Sequence, residues 1–452
     1  MDLLSQLRTG QLHGIQRLDL SCDLTEFPPE IFALADSLEV LNLSGNALTT
    51  LPDDLPRLHR LRVLFCSNNA FTELPAVLGQ CAQLEMVGFK SNRIAHVPAA
   101  ALPPQLRWLI LTDNRLNALP AEIGHCTRLH KLMLAGNQLR ALPPELAQCT
   151  QLELLRISAN PLELLSDKLP DWLLNMPRLA WLAYENQPNF TPSAAAVTVA
   201  WTELTLQQQL GEGASGVIHR ALLGGEAVAV KLFKGAVTSD GWPAAELAAS
   251  LSAGLHPHLI PITGPLSGHP DGTAGLVMHC IAPSFTTLAG PPSLASCSRD
   301  VYPAGTRFEL ATLLRIARSA AAAAAHLHAN GLLHGDLYGH NLQCDADGYC
   351  VLGDMGAASF LPAGAAQALA LQRLEARAFG CLLEELLAHG PQDGLAADRA
   401  VLNALATLRD ACLQPTAVAR PLFAQISQQL ADLADPGSAL RILGSLSARL
   451  AA

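Results

Sequence analysis

Two stretches hold the residues best suited to chemistry. In one, an apolar run ends in His334-Gly335-Asp336, Asn341 comes five residues after the aspartate, and a second hydrophobic stretch delivers Asp354-Met355-Gly356. In the other, upstream, Gly211-Glu212-Gly213-Ala214-Ser215-Gly216-Val217 is followed by Val228-Ala229-Val230-Lys231. Glycines let backbone amides approach a phosphate where side chains would block it. The G-x-G-x-x-G spacing alone is ambiguous, because dinucleotide-binding folds share it. In those folds a helix starts at the glycines. Here strand follows strand: 202–210 alternates as a strand, Val217-Ile218-His219-Arg220 comes next, then Glu226 to Lys231.

The surrounding elements must place these residues. Glu246 lies in an amphipathic helical run over 243–251, before His256-Pro257-His258. Gly275 to Ile281 reads as a buried strand, and Leu310 to Ala329 as a helix feeding the His334–Asn341 loop. Leu374 to Leu387 reads as a further helix, and Ala419-Arg420-Pro421-Leu422-Phe423 lies near the end of the chain.

From about residue 203 to about 433 this order resembles the protein-kinase family. The resemblance implies a bilobal α+β domain that uses ATP and Mg²⁺. Gly211, Gly213, Gly216 and Val217 would then fold over the phosphates, and Ala229, on the same strand as Lys231, would also bind the nucleotide. Lys231 would meet the α- and β-phosphates and pair with Glu246. Met278 would be the gatekeeper, and backbone groups of His279 and Ile281 would bind adenine. Asp336 would accept or orient the proton of the substrate hydroxyl, while Asn341 and Asp354 would hold the metal. His334 is expected to brace the loop and His340 to face solvent. Phosphoryl transfer rests on positioning and charge neutralisation, so Lys231, Asp336, Asn341 and Asp354 form a minimum set.

Three positions and one segment depart from the family. Gly335 replaces the arginine that receives an activation-loop phosphate, and Tyr338 replaces the lysine that serine/threonine kinases aim at the transferred phosphate. Met355 replaces phenylalanine. Only about 20 residues separate Asp354 from Glu375, with no Ala-Pro-Glu, so the peptide-docking platform is cut short. Arg420, which normally pairs with that glutamate, is expected to turn to Glu375 or Glu384.

The first half is organised by repetition. Leu38-x-x-Leu41-x-Leu43-x-x-Asn46 recurs at Asn69, Asn92, Asn114, Asn137 and Asn160, with a step of about 23 residues. Degenerate copies lie at Ile15–Leu20 and Leu179–Leu182. The pattern is similar to leucine-rich repeats. Alternating leucines make a short strand with one buried face, the asparagine bridges backbone groups at its end, and Leu-Pro pairs start the return. No repeat buries its apolar face alone, so neighbours stack as a solenoid. Phe65, Met86, Trp108, Ile110, Met133 and Trp181 would point outward on its concave face and either bind a protein partner or substrate or cover the chain's own second domain.

Composition narrows the rest. With 50% hydrophobic and 15% charged residues the chain is expected to fold throughout. A net charge of −10 offers no footprint for nucleic acid. No apolar run reaches the roughly 18 residues of a membrane helix, and no signal peptide is read at Met1. The 11 cysteines show no Cys-x-x-Cys, so neither a metal site nor a disulfide framework is expected, and a reducing cytoplasm is. The alanine-rich composition suggests a bacterial type. The expected organisation is a leucine-rich-repeat solenoid over 1–188, a linker over 189–202 and a protein-kinase-like domain over 203–452. The expected function is serine/threonine protein phosphorylation with a recognition arm. A pseudokinase scaffold and a small-molecule kinase of the aminoglycoside or choline type stand as alternatives.

Overall fold

Short leucine-rich strands at a fixed step fold into a ladder. The computed structural model describes residues 3–162, 169–185, 197–213, 215–235, 237–391 and 396–434. After helix α1 (Leu3–Arg8) come β1 (Arg17–Asp19), β2 (Val40–Asn42), β3 (Val63–Phe65), β4 (Met86–Gly88), β5 (Trp108–Ile110), β6 (Lys131–Met133) and β7 (Leu154–Arg156). Consecutive strands from β1 to β7 pair in parallel, each leucine opposite its counterpart or a valine one repeat on. Between β1 and β7 each repeat returns through a 3-10 turn, several opening directly after a Leu-Pro pair, as in Ala76–Gln80 and Ala121–His125.

The asparagines staple one turn to the next. Asn114 Nδ2 donates to the carbonyls of Phe89 and Leu111, while its Oδ1 accepts from the Ile94 amide. Asn137 and Asn160 repeat the arrangement. Cys81, Cys126 and Cys149 are buried in this core, and burial pushes their thiols up to about 11, 11 and 12.

By its contacts the chain forms two compact units, and they are interleaved in sequence. Unit one holds Met1–Met176 together with Val237–Gly241; unit two holds Pro177–Ala236 and Trp242–Ala452. Within unit one, buried Arg156 donates from Nε to Asp240 Oδ1 at 2.7 Å. A Cβ added at Gly136 would lie 2.6 Å from Val237 Cγ1, so only glycine leaves that valine its seat. Of the expected linker, residues 189–196 lie outside the described residues, as does the carboxy-terminal stretch from 435.

In chain order the remaining elements begin with α2 (Asp171–Leu174), at the end of unit one. Unit two opens with β8 (Trp181–Ala183) and β9 (Val199–Ala200), then the hairpin strands β10 (Leu204–Glu212), β11 (Gly216–Leu223) and β12 (Glu226–Phe233). Helix α3 (Pro243–Ser252) precedes β13 (Ile262–Ser267) and β14 (Gly275–His279). The sheet runs β10-β11-β12-β14-β13-β9 around a core of Val199, Ala221, Val228, Val230 and Val277. After it come β15 (Thr286–Thr287), α4 (Leu310–Ala329), β16 (Leu332–Leu333), β17 (Leu342–Cys344), β18 (Cys350–Leu352) and β19 (Ser359–Phe360). Helices α5 (Ala365–Ala388), α6 (Ala396–Cys412) and α7 (Phe423–Ala434) complete the unit. The alanines of α4 are small enough to bury almost flush: Ala317, Ala320, Ala321, Ala323 and Ala324 are all fully enclosed.

The β17–β18 ladder overturns one expectation drawn from cysteine spacing. Cys344 and Cys350 face each other across it and form a disulfide, where the sequence predicts none. A spacing of six residues carries no signal; the hairpin register brings the two together. No helix among the described residues is long and apolar enough to cross a membrane.

Candidate active site

The glycine hairpin and the 353–355 turn border a cavity of about 160 Å³ lined by Gly213, Ser215, Gly216, Lys231, Glu246, Met278 and Asp354, among others. Gly213 and Gly216 close the tip of the β10–β11 hairpin through a 2.9 Å bond from the Gly213 amide to the Gly216 carbonyl. A Cβ on Gly216 would lie 2.6 Å from the Leu232 carbonyl oxygen, whereas Gly211 and Gly213 face open space. Open space beside a bare backbone is what a close-lying anion needs. Gly211 pairs with Ile218, and Val217 with Glu212 and Leu232; neither lines the cavity.

Lys231 is placed by β12 and Glu246 by α3, whose first turn it occupies. Both are buried. Lys231 Nζ forms a short ion pair with Glu246 Oε1 and reaches Asp354 Oδ1 at 3.3 Å. Burial alone would lower the pKa of the ammonium, but the Asp354 and Glu246 carboxylates outweigh it and hold the value above the ordinary one. Lys231 therefore stays charged in a low-dielectric site.

The His334–Asn341 loop is held from several directions. His334 is fully buried and its Nε2 meets the Gly353 carbonyl at 2.9 Å, while its Nδ1 accepts from the Asp336 amide. Asn341 Nδ2 donates to the Asp336 carbonyl and to Asp336 Oδ2, both at 2.8 Å. Asp354 sits in the left-handed region at φ +54°, and its Oδ1 accepts from the Gly356 amide. A non-glycine residue in that region is a strained one, here pinned by its side-chain bonds.

The end expected to hold adenine is drawn less tightly. Met278 lines the cavity and pairs with Ala229 across β12–β14. Ala229, His279 and Ile281 are not among the residues lining it. The His279 amide donates to the Pro261 carbonyl.

Two residues differ from their expected places. His340, expected in solvent, is largely enclosed. Its Nδ1 lies 2.7 Å from Asp300 Oδ1 and its Nε2 lies 3.9 Å from Asp336 Oδ2. Burial lowers the pKa of its ring, but the Asp300 bond and the Asp336 charge raise it further, leaving it above the ordinary value. Arg420 finds no carboxylate at Glu375 or Glu384. It donates instead to the carbonyls of Gln414, Pro415 and Pro177. Glu375, fully buried on α5, lies under the His334–Asn341 loop: it accepts from the Gly335 amide at 2.6 Å and meets His328 Nε2 at 2.7 Å. Burial works against its charge, yet these partners hold the carboxyl below its usual range. Glu384 instead pairs with Arg299.

The stripe expected on the concave face is partly used up within the chain. Phe65 lies over Gly88, where a Cβ would sit 2.6 Å from its ring, and Ile110 lies beside the same glycine. Trp108 carries Lys131 over its ring at 4.6 Å and places Nε1 3.4 Å from Met133 Sδ. Met86 and Trp181 are each only 1% exposed, so neither offers an open surface. Trp181 belongs to unit two, where its ring stacks on Tyr338. Repeat phase carries no trace of that.

Oxygen donors suited to a divalent cation are present. With Nδ2 of Asn341 committed to Asp336, its Oδ1 remains as a hard ligand, and Asp354 supplies a carboxylate. Among the described residues no three His, Cys, Asp or Glu side chains converge as a cage. Two protein ligands suit Mg²⁺, which completes its shell with water and substrate phosphate.

Parts of the chain match models of known families. Residues 13–71 and 104–162 match the leucine rich repeat model, and 204–367 match the protein tyrosine and serine/threonine kinase model. The serine/threonine-protein kinase mos of Xenopus laevis is 27% identical over 175 residues, which is 38% of this chain. The chain thus spans about half, 46%, of that relative's length.

Proposed function

Because this chain carries leucine-rich repeats followed by a protein-kinase domain, we infer that it transfers the γ-phosphoryl group of ATP to a serine or threonine hydroxyl, with the repeats recognising a partner or substrate protein. The observation that carries the reading is the meeting of Lys231 with Glu246 and Asp354 at the cavity, together with the Asp336–Asn341 bond in the loop before it. Serine or threonine rather than tyrosine is supported by the similarity to the frog serine/threonine kinase.

Each residue has a physical task in this reading. Glycine backbone at 213 and 216 lets the phosphates lie close to the hairpin, with Gly211 beside open space just outside the cavity. Lys231 supplies fixed positive charge to the α- and β-phosphates, and Glu246 keeps its ammonium from collapsing onto Asp354 alone. Met278 borders the adenine end of the cavity, and His279 and Ile281 lie beyond its lining, where their backbone groups would meet the base. Mg²⁺ held by Asn341 and Asp354 would neutralise charge on the phosphates. Asp336, oriented by Asn341, takes the proton of the attacking hydroxyl. Such positioned, preorganised charge is the main catalytic resource for this chemistry.

The test is incorporation of labelled phosphate from ATP and Mg²⁺ into the protein and into added protein substrates. Lys231→Met and Asp336→Asn are each expected to abolish it. Nucleotide binding without transfer in the wild type would replace the reading with a scaffold. Transfer to small alcohols but never to protein would replace it with a small-molecule kinase, a reading favoured by the short stretch 357–364 between Gly356 and α5.

A further inference from the structure

The segment Pro177–Glu185 carries the last repeat by sequence, yet it belongs to unit two by contact. It touches the parts of that unit that border the His334–Asn341 loop. Trp181 lays its ring on Tyr338 at 4.1 Å between centroids and 6° between planes, and its Nε1 donates to the Leu337 carbonyl at 3.0 Å. Leu337 and Tyr338 directly follow Asp336. The Leu182 carbonyl oxygen stands 2.8 Å from where a Gly335 Cβ would be, so it closes on the loop from the other side.

The same segment also holds the stretch just after Asp354. The Tyr184 amide donates to Ser359 Oγ, Tyr184 Oη donates to the Phe360 carbonyl at 2.7 Å, and the Phe360 amide donates to Glu185. Its first residues are gripped by α5 and the closing Arg-Pro motif. Arg377 Nε donates to the Arg178 carbonyl at 3.0 Å, and Arg420 donates to the Pro177 carbonyl at 2.9 Å. Trp181 is thus buried with its one polar atom bonded, in a place where its own repeat would have turned it outward.

We propose that Pro177–Glu185 is a built-in positioning element of the catalytic centre, with Trp181 as its principal residue. It fixes the His334–Asn341 loop and the shortened 355–361 stretch in their working geometry. A full activation segment, and a phosphate-receiving arginine in place of Gly335, would otherwise perform that task. A loop braced this way by its own chain needs no phosphate to order it. The proposal rests on the kinase reading for its catalytic consequence and on contacts alone for its structural one.

The test uses the full chain carrying Trp181→Leu, Trp181→Phe or Tyr184→Phe. The partners of Trp181 and Tyr184 described above lie in the 337–338 and 359–360 stretches, away from Lys231, so nucleotide affinity and KM for ATP are expected to hold in all three. Trp181→Leu removes both the stack and the donor, and kcat should fall roughly ten- to hundredfold, as for a loop displaced by about 1 Å. Trp181→Phe keeps a ring over Tyr338 and should recover most of that loss. Tyr184→Phe removes only the hydroxyl bond to Phe360, and gives a milder variant should Trp181→Leu not fold. Amide exchange across 332–341 should speed up in Trp181→Leu and Tyr184→Phe and stay near wild type in Trp181→Phe. Unchanged kcat and exchange in Trp181→Leu would overturn the proposal, as would kcat and nucleotide affinity falling together. A wild type with no transferase activity would sink the kinase reading alone, and the exchange measurements would still decide the positioning role.

Discussion

Gly335 is the position where family resemblance and local geometry give opposite advice, which makes it a sharp test. Resemblance suggests that an arginine here would restore a familiar control device. Geometry forbids any side chain. Gly335 has φ +73°, and an added Cβ would lie 2.4 Å from the Ala357 carbonyl oxygen and 2.8 Å from that of Leu182. Holding a non-glycine residue in the left-handed region costs about 1–2 kcal/mol. Both clashing atoms are backbone oxygens, so the clash is relieved only by moving β8 or the 355–358 turn, an overpacking cost of roughly 1–3 kcal/mol. Together these make Gly335→Ala destabilising by about 2–5 kcal/mol. For a unit of this size each kcal/mol shifts the melting point by about 2–4 °C, so the loss should be several degrees to about 20 °C. Gly335→Arg should do at least as much damage and should not create phosphate-dependent activity. Thermal unfolding followed by circular dichroism reads the effect. A Gly335→Ala melting curve superimposable on the wild type would refute the reasoning.

Other contacts set three further outcomes. Glu375→Ala removes the carboxylate that the Gly335 amide and His328 both meet, and each such buried bond lost costs about 1–3 kcal/mol; urea titration should show a lower midpoint, with Glu375→Gln in between. Asn114→Ala deletes the staple to Phe89, Leu111 and Ile94 and should lower the stability of the repeat unit by about 2–4 kcal/mol, again read by urea. Glu385 is pushed up to about 8 by burial and by the nearby Asp300 charge. The folded chain therefore keeps this proton to about pH 8, whereas the unfolded chain releases it near pH 4.5. Its contribution to stability is present in acid and is lost as the pH rises between those values; Glu385→Gln should flatten that slope in a series of melting curves.

Features that depend on local order are legible in the residues. The repeat step predicts parallel strands, and the asparagines stand at each strand's end because their side chains need neighbours only one repeat away. Lys231, Glu246 and Asp354 are far apart in sequence, but each sits in a recognisable element whose partner is fixed by the fold. Other features depend on contacts that no local pattern encodes. Glu375 looks like a partner for Arg420 until the helix is placed beneath Gly335. His340 looks exposed until Asp300, forty residues earlier, reaches it. Cys344 and Cys350 pair only because a hairpin sets them opposite. Trp181 follows the repeat phase, and the partner for its indole comes from a loop more than 150 residues later.

The exchange of short segments between the two units bears on how the chain comes into being. A fragment ending at 188 would lack Val237–Gly241, and one beginning at 203 would lack Pro177–Glu185. No single cut yields two intact halves. During synthesis the repeats cannot be completed when their last leucine emerges, because the residues that meet Arg156 and Gly136 are still to be made. Growth from the amino terminus normally lets a first domain fold before the second is finished. Here the Arg156–Asp240 pair of the first unit forms only once the connection between β12 and α3 has been made.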